Sequence, residues 1–157
     1  MTRIIAPLAA HLRDRAFAPG VPRDRGALRI GAEVELVPVL ADSGRPCPVE
    51  GEGGPALLPF LRGWSTANGW LEWKTAKGVP GFCTPDGGRI TFEPGGQVEY
   101  SAPPAASASA LLASLRALVV PLRAAALDGG IELLSLGIDP LNGDGCTPLQ
   151  LHSERYD

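Results

Sequence analysis

Residues 89–101 read Arg-Ile-Thr-Phe-Glu-Pro-Gly-Gly-Gln-Val-Glu-Tyr-Ser, and the architecture can be worked out from this segment. Its alternation predicts a strand with a polar face and an apolar face. The polar face comprises Arg89, Thr91, Glu93, Gln97, Glu99 and Ser101. Because Pro94 cannot donate to a ladder and Gly95-Gly96 permits a bulge, we expect a kink that turns Glu93 and Glu99 toward a common point. An ordinary bulged edge strand would show the same pattern.

A second pair of carboxylates lies in the alternating segment 28–39, where Gly31-Ala32-Glu33-Val34-Glu35 occurs. Two residues apart on a strand, Glu33 and Glu35 project from one face at a backbone spacing of about 6–7 Å. Such close like charges repel unless a cation neutralises them or one takes up a proton, and Mg2+ suits the pair because it prefers oxygen ligands. The alternative is a half-exposed strand whose acidic face is simply solvated.

The remaining periodicities predict an α+β domain with a largely antiparallel sheet. We expect helices over 4–17, 56–67 and 105–128, and further strands over 70–75, 79–83 and 131–138. The loop over 42–55 is long enough to suggest mobility. One domain is predicted over 1–157: an N-terminal helix and loop (1–27), the sheet with its carboxylates (28–138) and a truncated loop (139–157).

Composition narrows the functional classes. The 157 residues are 45% hydrophobic and 20% charged with a net charge of −3, which is typical of a globular protein and disfavours a nucleic-acid partner. No window approaches the roughly 18 uninterrupted apolar residues of a membrane span, and the N-terminus lacks a secretory pattern. Three widely separated cysteines, Cys47, Cys83 and Cys146, favour reduced thiols and a cytoplasmic location.

The two acidic motifs and their spacing resemble the plant- and bacterial-type glutamate–cysteine ligases, which carry a G-x-E-x-E strand and an I-x-x-E-P-G-G-Q-x-E-x-S segment. The resemblance extends from about residue 28 to the last residue, including the Leu-Gly-Ile-Asp-Pro segment at 136–140 and the final Glu-Arg-Tyr-Asp. It implies part of a glutamine-synthetase-like fold, with a curved, mainly antiparallel sheet and helices on one face. It also implies that this chain is the N-terminal portion of a longer catalytic domain.

The resemblance further implies ATP- and Mg2+-dependent joining of the glutamate γ-carboxylate to the cysteine amine through an acyl phosphate. Glu33, Glu35, Glu93 and Glu99 would bind metal. Gly95, Gly96 and Gln97 would lie near nucleotide or glutamate, and Arg155 and Tyr156 on the substrate side. A C-terminal segment or second chain would complete the enzyme. Asp139 departs from the Gln or His that relatives often carry there, so the acceptor amine stays open.

Two alternatives remain at this point. The chain could be a metal- or nucleotide-binding module, or a regulatory subunit, that has lost catalysis. It could also be a ligase of this type that uses another amine, as ergothioneine-pathway and other γ-glutamyl ligases share these motifs.

Overall fold

The computed structural model describes Pro7, residues 9–17, Gly26, residues 28–74 and 78–143, and Gln150. In chain order these residues form a π-helical segment Leu12–Phe17, strand β1 Glu33–Leu40, helix α1 Leu57–Asn68, strands β2 Leu71–Lys74, β3 Pro80–Cys83, β4 Arg89–Phe92 and β5 Val98–Ser101, helix α2 Ala108–Asp128 and strand β6 Ile131–Leu134. The predicted α+β class is confirmed.

The strands form one open, six-stranded sheet in the order β2-β3-β4-β5-β1-β6, and every neighbouring pair is antiparallel. Strand β1 belongs to two ladders. Its first half, Glu33 to Leu36, pairs with β5, and its second half, Val37 to Leu40, pairs with β6. The predicted last strand is shorter than expected. It ends at Leu134, and Ile138 is 78% exposed.

The segment 89–101 is a hairpin and not the single kinked strand that we predicted. Strand β4 ends at Phe92 and β5 begins at Val98, with a tight turn between them. The Glu93 N–H donates to the Gln97 carbonyl at 2.9 Å, and the Gly96 N–H donates to the Glu93 carbonyl at 2.8 Å. Gly96 has φ +90°, which a residue with a side chain rarely adopts. Pro and Gly at these positions are typical of a short hairpin loop.

Both helices share one hydrophobic core with one face of the sheet. Residues of alternate positions point into it, including Leu36 of β1, Ile90 of β4 and Tyr100 of β5, all fully buried. Helix α1 contributes Leu57, Leu58 and Leu61, and α2 contributes Leu111, Leu122 and Ala126. Glu33, Glu35 and Glu99 occupy the intervening positions, so they project from the opposite face.

Helix α2 begins three residues later than predicted, because the Ser107 side chain caps it by accepting from the Ala110 N–H at 3.2 Å. Leu111 of this helix is buried, whereas its neighbour Leu112 is 48% exposed. By length and composition α2 would also suffice to cross a membrane, with a mean hydropathy of 1.7 and 17% of that window buried. The core helix of a folded domain passes the same test, so this is weak support for a membrane span.

The expectation of a mobile loop over 42–55 is wrong for its central part. Cys47 and Val49 are buried in the core. The Cys47 N–H donates to the Pro38 carbonyl at 3.0 Å, and the carbonyls of Pro48 and Val49 accept from the first two N–H groups of α1 at 2.9 Å each. The loop therefore supplies the hydrogen-bond acceptors that the start of α1 needs in the absence of a side-chain cap.

Candidate functional site

Three strands place the predicted site residues in register on the sheet face opposite the helices. Glu33 lies opposite Ser101, and Ser101 opposite Arg89. One row further along, Glu35 lies opposite Glu99, and Glu99 opposite Thr91. The alternation that we predicted for these segments is therefore correct, and their polar positions share one face.

Glu35 and Glu99 are direct cross-strand partners, which brings two carboxylates together. Directly opposite residues have Cβ atoms about 4.5–5.5 Å apart, and like charges there are destabilising. Within the described part of the chain, no Lys or Arg forms an ion pair with Glu33, Glu35, Glu93 or Glu99. These carboxylates therefore have no ion-pair partner among the described residues, although Arg89 lies on the same face.

Two of these carboxylates are oriented by neighbouring hydroxyl groups. The Thr91 hydroxyl donates to Glu99 Oε1 at 3.0 Å. The Ser101 hydroxyl donates to Glu33 Oε1 at 3.3 Å across the β1–β5 ladder. Each bond occupies one carboxylate oxygen and leaves the second oxygen available for another ligand.

The carboxylates form a row and not a closed cluster. Among residues 28–74 and 78–143, no three His, Cys, Asp or Glu side chains come together as a group that could hold a metal ion. Glu93 lies in the turn beyond β4, roughly 8 Å from Glu99 by strand geometry. Oxygen donors in pairs nevertheless fit Mg2+, which is usually bound through one or two carboxylates together with water and substrate phosphates. The assignment of these four residues as metal ligands stays a prediction.

A cavity of about 310 Å³ adjoins the carboxylate row at the hairpin turn. Gly95 and Gln97 line it, together with Val37 of β1 and the segment 137–143. The Gln97 carboxamide folds over Gly95, where a Cβ atom would lie 2.7 Å from Oε1, so a larger residue there would require the Gln97 side chain to shift. Gln97 Oε1 is buried without a hydrogen-bond partner in the described structure, which leaves an acceptor beside the cavity. Gly96 is buried beneath this turn and does not line the cavity.

Gln150 holds the hairpin turn against the loop that precedes α1. Its Oε1 accepts from the Val49 N–H at 2.6 Å, and its Nε2 donates to the carbonyls of Cys47 at 3.3 Å and Gly95 at 3.1 Å. Its own N–H donates to the Pro94 carbonyl at 2.8 Å. We did not single out Gln150 from the sequence, because its partners lie 55 and about 100 residues away and no local pattern marks it.

Asp139, the departure noted in the sequence, has a structural role. Its Oδ1 accepts from the N–H groups of Leu141 and Asn142 at 2.9 and 3.1 Å, and its Oδ2 accepts from the Asn142 side chain at 2.8 Å. Burial opposes its ionisation, but these hydrogen bonds outweigh that effect and hold the pKa of Asp139 below its usual value. The charged carboxylate thus fixes one wall of the cavity.

Trp73 lies on the carboxylate face of the sheet, opposite Gly81. Its indole covers Gly81, since a Cβ atom on Gly81 would lie 2.7 Å from Trp73 Cε2. Trp64 and Trp70 pack against the core. Arg155 and Tyr156, the predicted substrate-side residues, lie outside the described residues.

Comparisons with known proteins agree with the two acidic motifs. A family model described as Glutamate-cysteine ligase family 2 (GCS2) matches residues 29–157. Two relatives, each described as glutamate–cysteine ligase EgtA, from Mycobacterium tuberculosis strains CDC 1551 / Oshkosh and ATCC 25618 / H37Rv, are 36% identical to this chain over 84 residues. Those residues are 53% of this chain and 18% of the length of each relative. The family match begins just before Gly31 and includes all four predicted metal ligands.

Proposed function

Because the chain belongs to glutamate–cysteine ligase family 2, we propose that it carries the metal- and nucleotide-binding wall of an ATP-dependent ligase that joins glutamate to cysteine. ATP phosphorylates the γ-carboxylate of glutamate, and the cysteine amine then displaces phosphate to give γ-glutamylcysteine, ADP and phosphate. Positioning and charge neutralisation dominate phosphoryl transfer, so a rigid carboxylate-bearing sheet suits it better than a protein nucleophile would.

The observation that supports this function best is the facing pair Glu35 and Glu99. A folded protein that holds two carboxylates opposite each other, with no described cation between them, loses stability unless a bound cation restores it. Bound Mg2+ would neutralise the phosphates and the carboxylates together. Glu33, Glu35, Glu93 and Glu99 would hold it, and the Thr91 and Ser101 hydroxyls donate hydrogen bonds to two of these side chains.

The cavity beside the hairpin turn is the proposed site for nucleotide or glutamate. Its volume of about 310 Å³ lies at the small end of the range for small-molecule sites. Gly95 and Gln97 form its edge nearest the carboxylates. Gly96 packs behind them against Val49 and Gln150, so it supports the turn and leaves the two flanking residues to meet the ligand. Ergothioneine-pathway ligases share the acidic motifs of this chain, so that pathway is a proposal for it as well.

We infer that a C-terminal segment or a second chain completes the enzyme. The relatives are much longer than the 84 residues that this chain shares with them. Strand β6 is at one end of the sheet order, and no other strand among the described residues pairs with its outer edge, where a further strand could add. Free thiols at Cys47 and Cys83 agree with a cytoplasmic location.

The direct test is γ-glutamylcysteine formation from glutamate, cysteine and ATP. The 157-residue chain alone is expected to give no product, and the chain with its completing segment is expected to be active. Product from the chain alone would overturn the inference of incompleteness. Mg2+ and ATP binding without turnover, even with the completing segment, would instead show a non-catalytic module. Competition among amino acids in the same assay identifies the acceptor amine.

A further inference from the structure

A second cavity, of about 350 Å³, lies on the helix side of the sheet, away from the carboxylate row. It opens between α1, α2 and the turn that joins β3 to β4. Its volume is within the range of small-molecule sites. The proposed ligase reaction makes no use of it, because the predicted metal and nucleotide residues project from the other face.

Two tryptophans form one wall of this helix-side cleft. The rings of Trp64 and Trp70 meet edge to face, with centroids 6.4 Å apart and an interplanar angle of 77°. Both residues are partly buried and pack against the core, so their rings are fixed in position. Aromatic faces and an apolar floor that includes Leu118 attract a cation that carries a hydrophobic body.

Asp86 and Ala117 offer hydrogen-bond acceptors to the cleft, while Trp64 carries an indole N–H that has no partner among the described residues. Asp86 Oδ1 accepts from the Thr84 hydroxyl and from the Gly88 N–H, the latter at 3.4 Å, while Oδ2 has no partner among the described residues. The ring of Pro121 has no N–H, so the carbonyl of Ala117, one helical turn earlier, lacks its helical donor. Asp86, Ala117 and Pro121 all line the cleft.

The charge of the cleft is entirely negative in the described part of the chain. Asp86 is the one ionisable residue among those that line it, and no described Lys or Arg is paired with its carboxylate. An anion would therefore meet repulsion, and a neutral ligand would gain no charge-assisted contact with Asp86, which is exposed to solvent. A donor-bearing cation satisfies both the acceptors and the aromatic wall.

We propose that this cleft binds a small organic cation, a protonated amine or guanidinium on an apolar body. Its charged group contacts Asp86 Oδ2, and its apolar part lies against Trp64 and Trp70. The site is independent of the ligase reaction, so its presence or absence leaves the proposed function unaffected.

The test uses benzylammonium as the probe, with benzyl alcohol as the neutral counterpart and benzoate as the anion. Tryptophan fluorescence reports binding, and a Trp73→Phe background removes the indole of the opposite face. Asp86→Asn keeps the oxygen that accepts from Thr84 and Gly88 and removes the charge. We expect saturable binding of benzylammonium, at least about tenfold tighter than of benzyl alcohol, and about tenfold weaker binding in Asp86→Asn.

Two further variants test whether the loss of binding is specific to the cleft. Asp42→Asn removes an exposed carboxylate outside the cleft and should leave binding unchanged. Ala117→Phe fills the cleft from an exposed helix position and should abolish binding, even if Asp86→Asn fails to fold. Equal affinity for benzylammonium and benzyl alcohol would overturn the proposal, as would binding that both Asp86→Asn and Ala117→Phe leave intact.

Discussion

Replacing Glu35 with glutamine should change the stability of the chain in opposite directions with and without Mg2+. Glu35 is opposite Glu99, and carboxylates about 6 Å apart repel each other by about 0.7 kcal/mol at the dielectric constant of water. Measured cross-strand pair energies of about 0.2–1 kcal/mol cover the same range. Without a divalent cation, Glu35→Gln should therefore raise the free energy of unfolding by about 0.5 kcal/mol, or the Tm by about 1–2 °C.

With Mg2+ and a non-hydrolysable ATP analogue the order should invert. Ligand at about 100 times its Kd stabilises the wild-type chain by about 2.7 kcal/mol. If the loss of one carboxylate ligand weakens binding about tenfold, the same ligand concentration stabilises the variant by only about 1.4 kcal/mol. The wild type then exceeds Glu35→Gln by about 0.8 kcal/mol, after subtracting the relief of repulsion.

The assay is thermal unfolding followed by circular dichroism, in EDTA and in saturating Mg2+ with the analogue. Glu52→Gln is the matched control, since Glu52 is an exposed carboxylate in the loop before α1. It should behave like the wild type in both conditions. The reasoning fails if Glu35→Gln is less stable than the wild type in EDTA, or if Mg2+ with the analogue stabilises both proteins equally.

Three further perturbations follow from the packing around the site. Gly96→Ala should destabilise the chain by about 1–2 kcal/mol more than Gly87→Ala. Both glycines have φ near +90°, but only a Cβ atom on Gly96 would lie 2.9 Å from Val49 Cγ2. Equal losses of stability in urea unfolding would contradict this. Gln150→Glu replaces the amide group that donates to the carbonyls of Cys47 and Gly95, so nucleotide affinity should fall near pH 8. Affinity should recover as the pH is lowered, because the new carboxyl group takes up a proton and can donate again. An affinity loss that does not depend on pH would refute the hydrogen-bonding role. Burial raises the pKa of the Cys47 thiol to about 11, against a Leu57 backbone hydrogen bond that lowers it. Burial of the neutral thiol therefore contributes to the free energy of unfolding in full below pH 9, and this contribution is lost as the pH rises toward 11. In a Cys83→Ser, Cys146→Ser variant, the remaining thiol should thus react with a disulfide reagent at pH 8 only after unfolding, and rapid labelling of the folded protein would show the burial to be wrong.

The parts of the fold that obey local rules could be predicted from the sequence. Helix α1 was placed within one residue at each end, because Asn68-Gly69 is a strong stop signal and Gly69 indeed adopts φ +69°. The faces of β1 and β5 followed from simple alternation. Glu33, Glu35 and Glu99 were placed on one face for that reason.

The features that depend on distant contacts could not be predicted. The polar alternation of residues 89–101 is the same in one kinked strand and in a hairpin, so only tertiary pairing distinguishes them. The loop before α1 is rich in Gly and Pro, yet its backbone is fixed by hydrogen bonds to β1 and α1 that no sequence window contains. Gln150 connects segments about 100 residues apart, and the cleft at Trp64 exists only where two helices and a turn meet.

The central claim is that the facing carboxylates of β1 and β5 bind the divalent cation that accompanies the nucleotide. Electron paramagnetic resonance of Mn2+, titrated into the chain with a non-hydrolysable ATP analogue, tests it most directly. The wild type and Glu52→Gln should bind Mn2+, and the Glu35→Gln, Glu99→Gln double variant should lose that binding while keeping its fold. Mn2+ binding of equal affinity in the double variant would contradict the claim.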